Sequence, residues 1–208
     1  MGVAAARGIA RRSPVGHLML GVILAGGAST RMGTDKAMVE VAGRPMLEWV
    51  ASALRSVVPE TVVAGRADPV AGLVAIPDLL EPYSGPLAGL LAVATARPEE
   101  ALLLVAVDQP WVRSVTLAVI AGSLGARPSI PVEHGVRQVL CAAYPPGLAE
   151  LASEELAALG SLQSLLDVTS FDPLTGWAAH GEDGRSWYSA DSPEAITEGL
   201  ARFGPPTG

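Results

Sequence analysis

The sequence predicts a three-layer α/β domain built on a mostly parallel central sheet. Short, wholly apolar runs such as Val22-Ile23-Leu24 and Ala101–Val107 (ALLLVAV) suit strands buried on both faces. Between such runs lie segments with apolar residues at helical spacing, and the two kinds alternate along the chain. Half of the 208 residues are apolar, enough to fill a core.

Each element follows from its own residues. Val22-Ile23-Leu24 stops at glycines, as a buried strand entering a turn does. Pro45 can open a helix whose Met46, Trp49, Val50, Ala53, Leu54 and Val57 share one face. Thr61–Ala64 and Leu73–Ile76 read as strands, and Leu87–Ala96 as an Ala/Leu helix begun just after Pro86. Ala101–Val107 is expected at the centre of the sheet. Ser114–Leu124 reads as a helix with Ser114 as N-cap, and Val139–Tyr144 as a further strand. Pro146–Leu159, Leu162–Val168 and Pro193–Phe203 read as helices. This alternation implies right-handed parallel βαβ units. With no internal repeat and no linker-like stretch, residues 20–204 read as one domain and 205–208 as a tail. Residues 1–19 read as a flexible extension, with Met19 offering a later start codon as an alternative account of what precedes it.

Composition excludes several classes. The 23 glycines and 17 prolines fall short of a low-complexity chain. No run approaches the roughly 18 apolar residues of a membrane span, and the basic N-terminal stretch lacks the order of a secretory signal. With 21 acidic against 14 basic side chains, the net charge of -7 disfavours nucleic-acid binding. One cysteine, Cys141, permits no internal disulfide and no cysteine-rich metal site, which suits a reducing cytoplasm. Of the 14 basic residues, one alone is lysine, Lys36, and it closes a glycine-rich turn.

That turn, Leu24-Ala25-Gly26-Gly27-Ala28-Ser29-Thr30-Arg31-Met32-Gly33-Thr34-Asp35-Lys36, follows a buried strand, where ligand clefts of open α/β sheets form. Glycines let the backbone approach an anion and aim successive N–H groups at it. Arg31 and Lys36 add two full positive charges. Together these residues make a candidate triphosphate clamp. The turn is neither a Walker A loop, because Gly33 and Lys36 are separated and Ala37 follows, nor a G-x-G-x-x-G dinucleotide fingerprint.

The string L-A-G-G-x-S-x-R-M-G-x-D-K, matched from Leu24 to Lys36, resembles the signature of the molybdenum cofactor guanylyltransferases (MobA-type). The resemblance continues through Gly43-Arg44-Pro45-Met46-Leu47, Asp78, Gly85-Pro86-Leu87-Ala88-Gly89, Asp108-Gln109-Pro110 and Asp191-Ser192-Pro193-Glu194. It implies a Rossmann-like nucleotidyltransferase fold. It also implies Mg²⁺-dependent transfer of GMP from GTP to the terminal phosphate of molybdenum-loaded molybdopterin, with release of pyrophosphate. The residues it carries over for GTP are Leu24, Ala25, Gly26, Gly27, Arg31, Lys36, Asp78, Gly85 and Asp108. Catalysis falls to Arg31, Lys36 and Asp108. Transient contacts with cofactor-inserting and molybdoenzyme proteins are implied too. Cytidylyl transfer to the same acceptor or nucleotidyl transfer to a sugar phosphate stands as an alternative, as does a non-catalytic GTP-binding scaffold.

Asp108 ends the central strand and should project into the same cleft as the glycine-rich turn. Mg²⁺ is often held by one or two carboxylates plus phosphates and water, so Asp108 is its candidate ligand, or else caps the next turn. Asp191 is a weaker second ligand, or a cap for the helix at Pro193 shared with Ser192. In the family this region usually reads Asn-x-Asn-Thr-Pro-Glu; here both asparagines are replaced. A carboxylate suits guanine, since it accepts from both N1–H and the exocyclic amine, and the resemblance sets Asp78 near the base. Where the family often has asparagine after the second strand, this chain has Val63-Ala64-Gly65-Arg66, leaving base contacts there to the backbone or Arg66. His17, His134 and His180 form no cluster. Arg137-Gln138 precedes a strand where the family approaches its pterin, and Trp111 could line the cleft. Trp49 fits a helix core, and Cys141 a buried strand.

Overall fold

The computed structural model describes residues 18–26, 35–79 and 85–207. Its first strand, β1 (Met19–Leu24), is buried along its whole length. A small antiparallel pair, β2 (Glu40–Val41) and β3 (Arg44–Pro45), leads into helix α1 (Met46–Arg55). Then come β4 (Glu60–Ala64), β5 (Val74–Ile76), α2 (Gly85–Ala96), β6 (Ala101–Ala106) and α3 (Ser114–Gly122). The second half supplies β7 (Ser129–Glu133), β8 (Val136–Arg137), β9 (Cys141–Tyr144), α4 (Ala149–Ala157), α5 (Leu162–Val168), β10 (Asp172–Leu174) and α6 (Pro193–Phe203).

Among the described residues the main sheet has eight strands, in the order β10-β7-β9-β6-β1-β4-β5 with β8 paired to β7. Strands β1, β4, β5 and β6 form a parallel run in which, along the chain, α1 lies between β1 and β4 and α2 between β5 and β6, while β4 reaches β5 through a loop without a helix. Side chains alternate across β1. Met19 and Ile23 pack with α1 and α3 on one face, while Leu20, Val22 and Leu24 pack with α2, α4 and α5 on the other. These are the three expected layers, and β6 sits centrally between β1 and β9. Among the described residues no helix is long and apolar enough to cross a membrane.

Several local expectations change. Ser114 is the first residue of α3, not its N-cap. Arg113 holds the cap position in extended geometry, and its N–H is taken by Ser186 Oγ at 3.1 Å. β9 runs antiparallel to both β6 and β7, because a hairpin and not a helix delivers it. The strand expected just before His134 is β7, with Pro131 in its middle. Its two-residue turn to β8, His134-Gly135, has positive φ at both positions (49° and 78°), as such hairpins demand. The sheet starts at Met19, with the Leu18 carbonyl accepting from Ala101 N–H at 3.0 Å, while residues 1–17 lie outside the described ones. At the other end, Pro206 is buried, so the tail packs.

Trp111 does not line the cleft. It is buried in a satellite cluster with Val41, Met46 and Ala190, under Tyr188 and Phe203 from the C-terminal segment. Its Nε1–H donates to the Gly204 carbonyl at 2.8 Å, and the indole lies flat against Gly199 of α6. A Cβ on Gly199 would sit 2.7 and 2.8 Å from ring carbons Cζ3 and Cζ2. The ring is rigid and tethered, so it cannot yield cheaply. Replacing Gly199 by alanine should therefore cost roughly 1–3 kcal/mol despite the better helix propensity of alanine. Thermal denaturation should show a midpoint lowered by about 2–10 °C; an unchanged or raised midpoint would show that α6 docks loosely.

Candidate active site

β1 and β6 are in parallel register from Met19 opposite Ala101 to Leu24 opposite Ala106, so both chains leave the sheet on one rim. The ladder continues past the strand ends. Val107 N–H donates to the Leu24 carbonyl and Ala25 N–H to the Ala64 carbonyl, each at 3.0 Å. The residue after Val107 is Asp108. Lys36 enters the same rim from a single 3₁₀ turn, Lys36–Met38, which Asp35 caps by accepting from Ala37 N–H at 3.1 Å. There Lys36 Nζ stands 2.8 Å from Asp108 Oδ2.

A third segment joins them. Ser189 Oγ donates to the same Asp108 oxygen at 2.9 Å, and Ala190 N–H donates to the Asp108 carbonyl at 2.7 Å. Asp108 is thus oriented from two sides, by the turn after β1 and by the segment before α6. The Lys36 and Asp108 side chains remain 25% and 19% exposed, so an incoming ligand can reach both. Asp191 follows Ala190 directly. The cap of α6 is Ser192, whose Oγ accepts from Ala195 N–H at 3.1 Å, so the capping role weighed for Asp191 belongs to its neighbour.

A cleft of about 140 Å³ opens between these segments and the N-terminal end of α2. Leu24, Gly26, Lys36, Asp78, Gly85 and Asp108 all line it. Ala25 packs instead against the α1/α3 side of the core, which leaves only its main chain for the cleft. Gly27 and Arg31 lie outside the described residues. Among the described residues Asp78 Oδ1 has no hydrogen-bond partner although it is buried, and burial pushes this carboxyl above its ordinary value. A buried oxygen lacking a donor is costly, and a ligand that brings N–H groups into the cleft would relieve it.

Gly65 shapes the floor. It has φ +84° and lies against Gly26 so closely that a Cβ would stand 2.6 Å from Gly26 N. Two backbones meet where any side chain would hold them apart. Arg66, the alternative base contact, is engaged elsewhere: its Nη1 lies 2.9 and 2.7 Å from the two oxygens of Asp35. Arg137 is paired with Asp167 at 2.7 Å and lies over the Phe171 ring, while His134 caps the β7–β8 hairpin in solvent. Cys141 is buried in β9, and Trp177 packs edge-on against Trp187. Ser189 and the Asp35–Arg66 pair were not expected to matter. The one available signal for Ser189 was its place where the resembling family has asparagine.

Among the described residues no group of three or more His, Cys, Asp or Glu could hold a metal. The Asp108 carboxylate beside the Ser189 hydroxyl is instead a sparse, hard-oxygen donor set. It fits a Mg²⁺ ion that draws its remaining ligands from phosphate and water.

Residues 21–173 match the family described as MobA-like NTP transferase domain. The chain belongs to that family. The molybdenum cofactor guanylyltransferase of Cereibacter sphaeroides is 38% identical over 148 residues, which cover 67% of this chain and 76% of that one. The protein of the same name from Acidiphilium cryptum is 32% identical over 174 residues, covering 80% and 82%. In structure, molybdopterin-guanine dinucleotide biosynthesis protein A from Archaeoglobus fulgidus superposes with a TM-score of 0.74 at 21% identity, over 87% of this chain and 96% of that one. As a MobA-like NTP transferase, this protein is a nucleotidyltransferase, and divalent metal is a general requirement of that chemistry.

The state of Asp78 is open to a direct check. Its folded-state value is raised above the unfolded one, so the native form holds the proton more tightly. Stability therefore falls as pH rises from about 4, the ordinary carboxyl value, through the raised one, and the loss is complete above it. Asp78→Asn should raise the thermal midpoint at pH 7 by about 1–3 °C and give no gain near pH 3.5. An equal gain at both pH values would show that burial of charge is not the cause.

Proposed function

We propose that this protein transfers GMP from GTP to the terminal phosphate of molybdenum-loaded molybdopterin, forming the guanine dinucleotide and releasing pyrophosphate. The observation that carries the reading is the 2.8 Å approach of Lys36 Nζ to Asp108 at the strand rim, in one cleft with the unpaired Asp78 oxygen. The names of the relatives point to the same reaction.

The attacking group is a phosphate oxygen, already anionic, so the site needs no strong base. The obstacle is repulsion between that phosphate and the triphosphate. Lys36 sits where it can neutralise phosphate charge, and Arg31, five residues earlier, adds a second cation in the sequence. Fixed positive groups of this kind lower the barrier because they are oriented before reaction begins. Asp108 would hold Mg²⁺, with Asp191 as a second carboxylate; when bound, the ion supplies further charge neutralisation on the phosphates. Asp78 accepts from N1–H and the exocyclic amine of guanine, while cytosine offers one amine alone. GTP and molybdopterin are thus the proposed substrates, and the cytoplasm the proposed setting.

Incubation of the purified chain with molybdenum-loaded molybdopterin, Mg²⁺ and each nucleoside triphosphate, followed by mass analysis, tests the reading. The guanine dinucleotide should dominate. Preference for CTP would overturn the base assignment, and tight GTP binding without any product would favour a scaffold. Lys36→Ala should lower turnover on the order of 10²–10³-fold while melting like wild type. A near-normal single-turnover rate would remove Lys36 from the mechanism. Asp78→Asn loses one charged acceptor, and kcat/KM for GTP should fall by about 10–100-fold, more than for CTP.

A further inference from the structure

We infer that Arg66 is a positioning residue for Lys36, acting through Asp35. The inference rests on the proposed nucleotide-binding role of Lys36 and adds a residue from a different loop to it. The turn that carries Lys36 is three residues long. Its internal bonds are Met38 N–H to the Asp35 carbonyl at 2.9 Å and Val39 N–H to the Lys36 carbonyl at 3.2 Å. So short a 3₁₀ turn does not fix its own orientation. The Asp35 carboxylate fixes it from outside. Oδ1 accepts from Ala37 N–H at 3.1 Å, and both oxygens receive Arg66 Nη1, at 2.9 and 2.7 Å.

Arg66 belongs to the loop after β4. The residue before it, Gly65, rests on Gly26 backbone to backbone. Gly26 and Asp35, the described residues on either side of 27–34, therefore both rest on consecutive residues of one loop. Lys36 lies beside the pinned cap, and its long flexible stem must reach Asp108 at 2.8 Å. Where the backbone starts decides whether the ammonium arrives. The Arg66 and Asp35 side chains are 25% and 39% exposed, so water weakens the pair without dissolving it. Nη1 of the guanidinium is given to a carboxylate, the contact through which positioning would act.

The test compares Arg66→Met, Asp35→Asn, the double variant and Arg66→Lys with wild type in the full chain. Asp35→Asn keeps an oxygen for the Ala37 cap while removing the charge, so folding is preserved. Calorimetry with GTP and Mg²⁺ should show Kd raised about fivefold by Arg66→Met and by Asp35→Asn alike. The double variant should bind no worse than either single one, and Arg66→Lys should recover part of the loss. In turnover the change should fall on KM for GTP more than on kcat, with thermal midpoints grouped together. Wild-type affinity in either single variant, or losses that multiply in the double, would overturn the inference. So would a large loss for Arg66→Met beside an unchanged Asp35→Asn, which would make Arg66 a direct ligand. Failure of the guanylyl-transfer reading would show separately, as wild-type GTP binding without dinucleotide.

Discussion

The site depends on β1 and β6 lying side by side and parallel. That pairing sends the chain after Leu24 and the chain after Ala106 out of one edge of the sheet. The Val107 to Leu24 hydrogen bond then holds the two exits together. Lys36 and Asp108 are 72 positions apart in sequence, yet their meeting needs no long-range coincidence beyond this register. The ladder is made of buried apolar side chains on both faces, so the rim inherits the rigidity of the core.

Against that rigid edge, the rest of the cleft is assembled from small residues and one uncomfortable carboxylate. Gly65 and Gly26 bring two backbones to a separation that side chains forbid, and Asp78 sits beside them with an oxygen that no donor among the described residues satisfies. Both features cost stability in isolation. In the proposed guanylyl transfer they would together receive a flat, donor-rich base. The C-terminal helix, locked on by Trp111 and Gly199, brings Ser189 back across the chain to Asp108 and completes the wall.

What could be read in advance divides along physical lines. Apolar runs buried on both faces and helical spacing are local signals, so β1, β6, α1 and α6 were evident in the sequence. The glycine-rich motif and the aspartate at a strand end are chemical signals, and they identified Lys36 and Asp108 as neighbours. β7 was read before His134 without bounds, since a proline breaks its pattern, and the reversal of β9 was hidden by the brevity of the His134-Gly135 turn, which composition does not flag. Ser114 looked like a cap because capping depends on the backbone of the preceding residue. The Arg66–Asp35 pair was out of reach for another reason: it joins two loops, and neither loop has a period or a motif that encodes its partner.

The reversed strand has a consequence for how this architecture changes over time. A parallel β9 would have entered from the opposite edge and left towards the cleft. Running backwards, it begins there, with the Leu140 carbonyl accepting from Ala106 N–H at 2.9 Å and Leu140 facing the cleft. One strand further out, β7 runs the other way from β9 and so turns at this same end of the sheet, in the β7–β8 hairpin. A ribbon of that kind can lengthen, shorten or change its tip residues without disturbing the strands that hold Lys36 and Asp108. Change at that hairpin is thereby kept apart from the paired strand ends that hold the lysine and the aspartate.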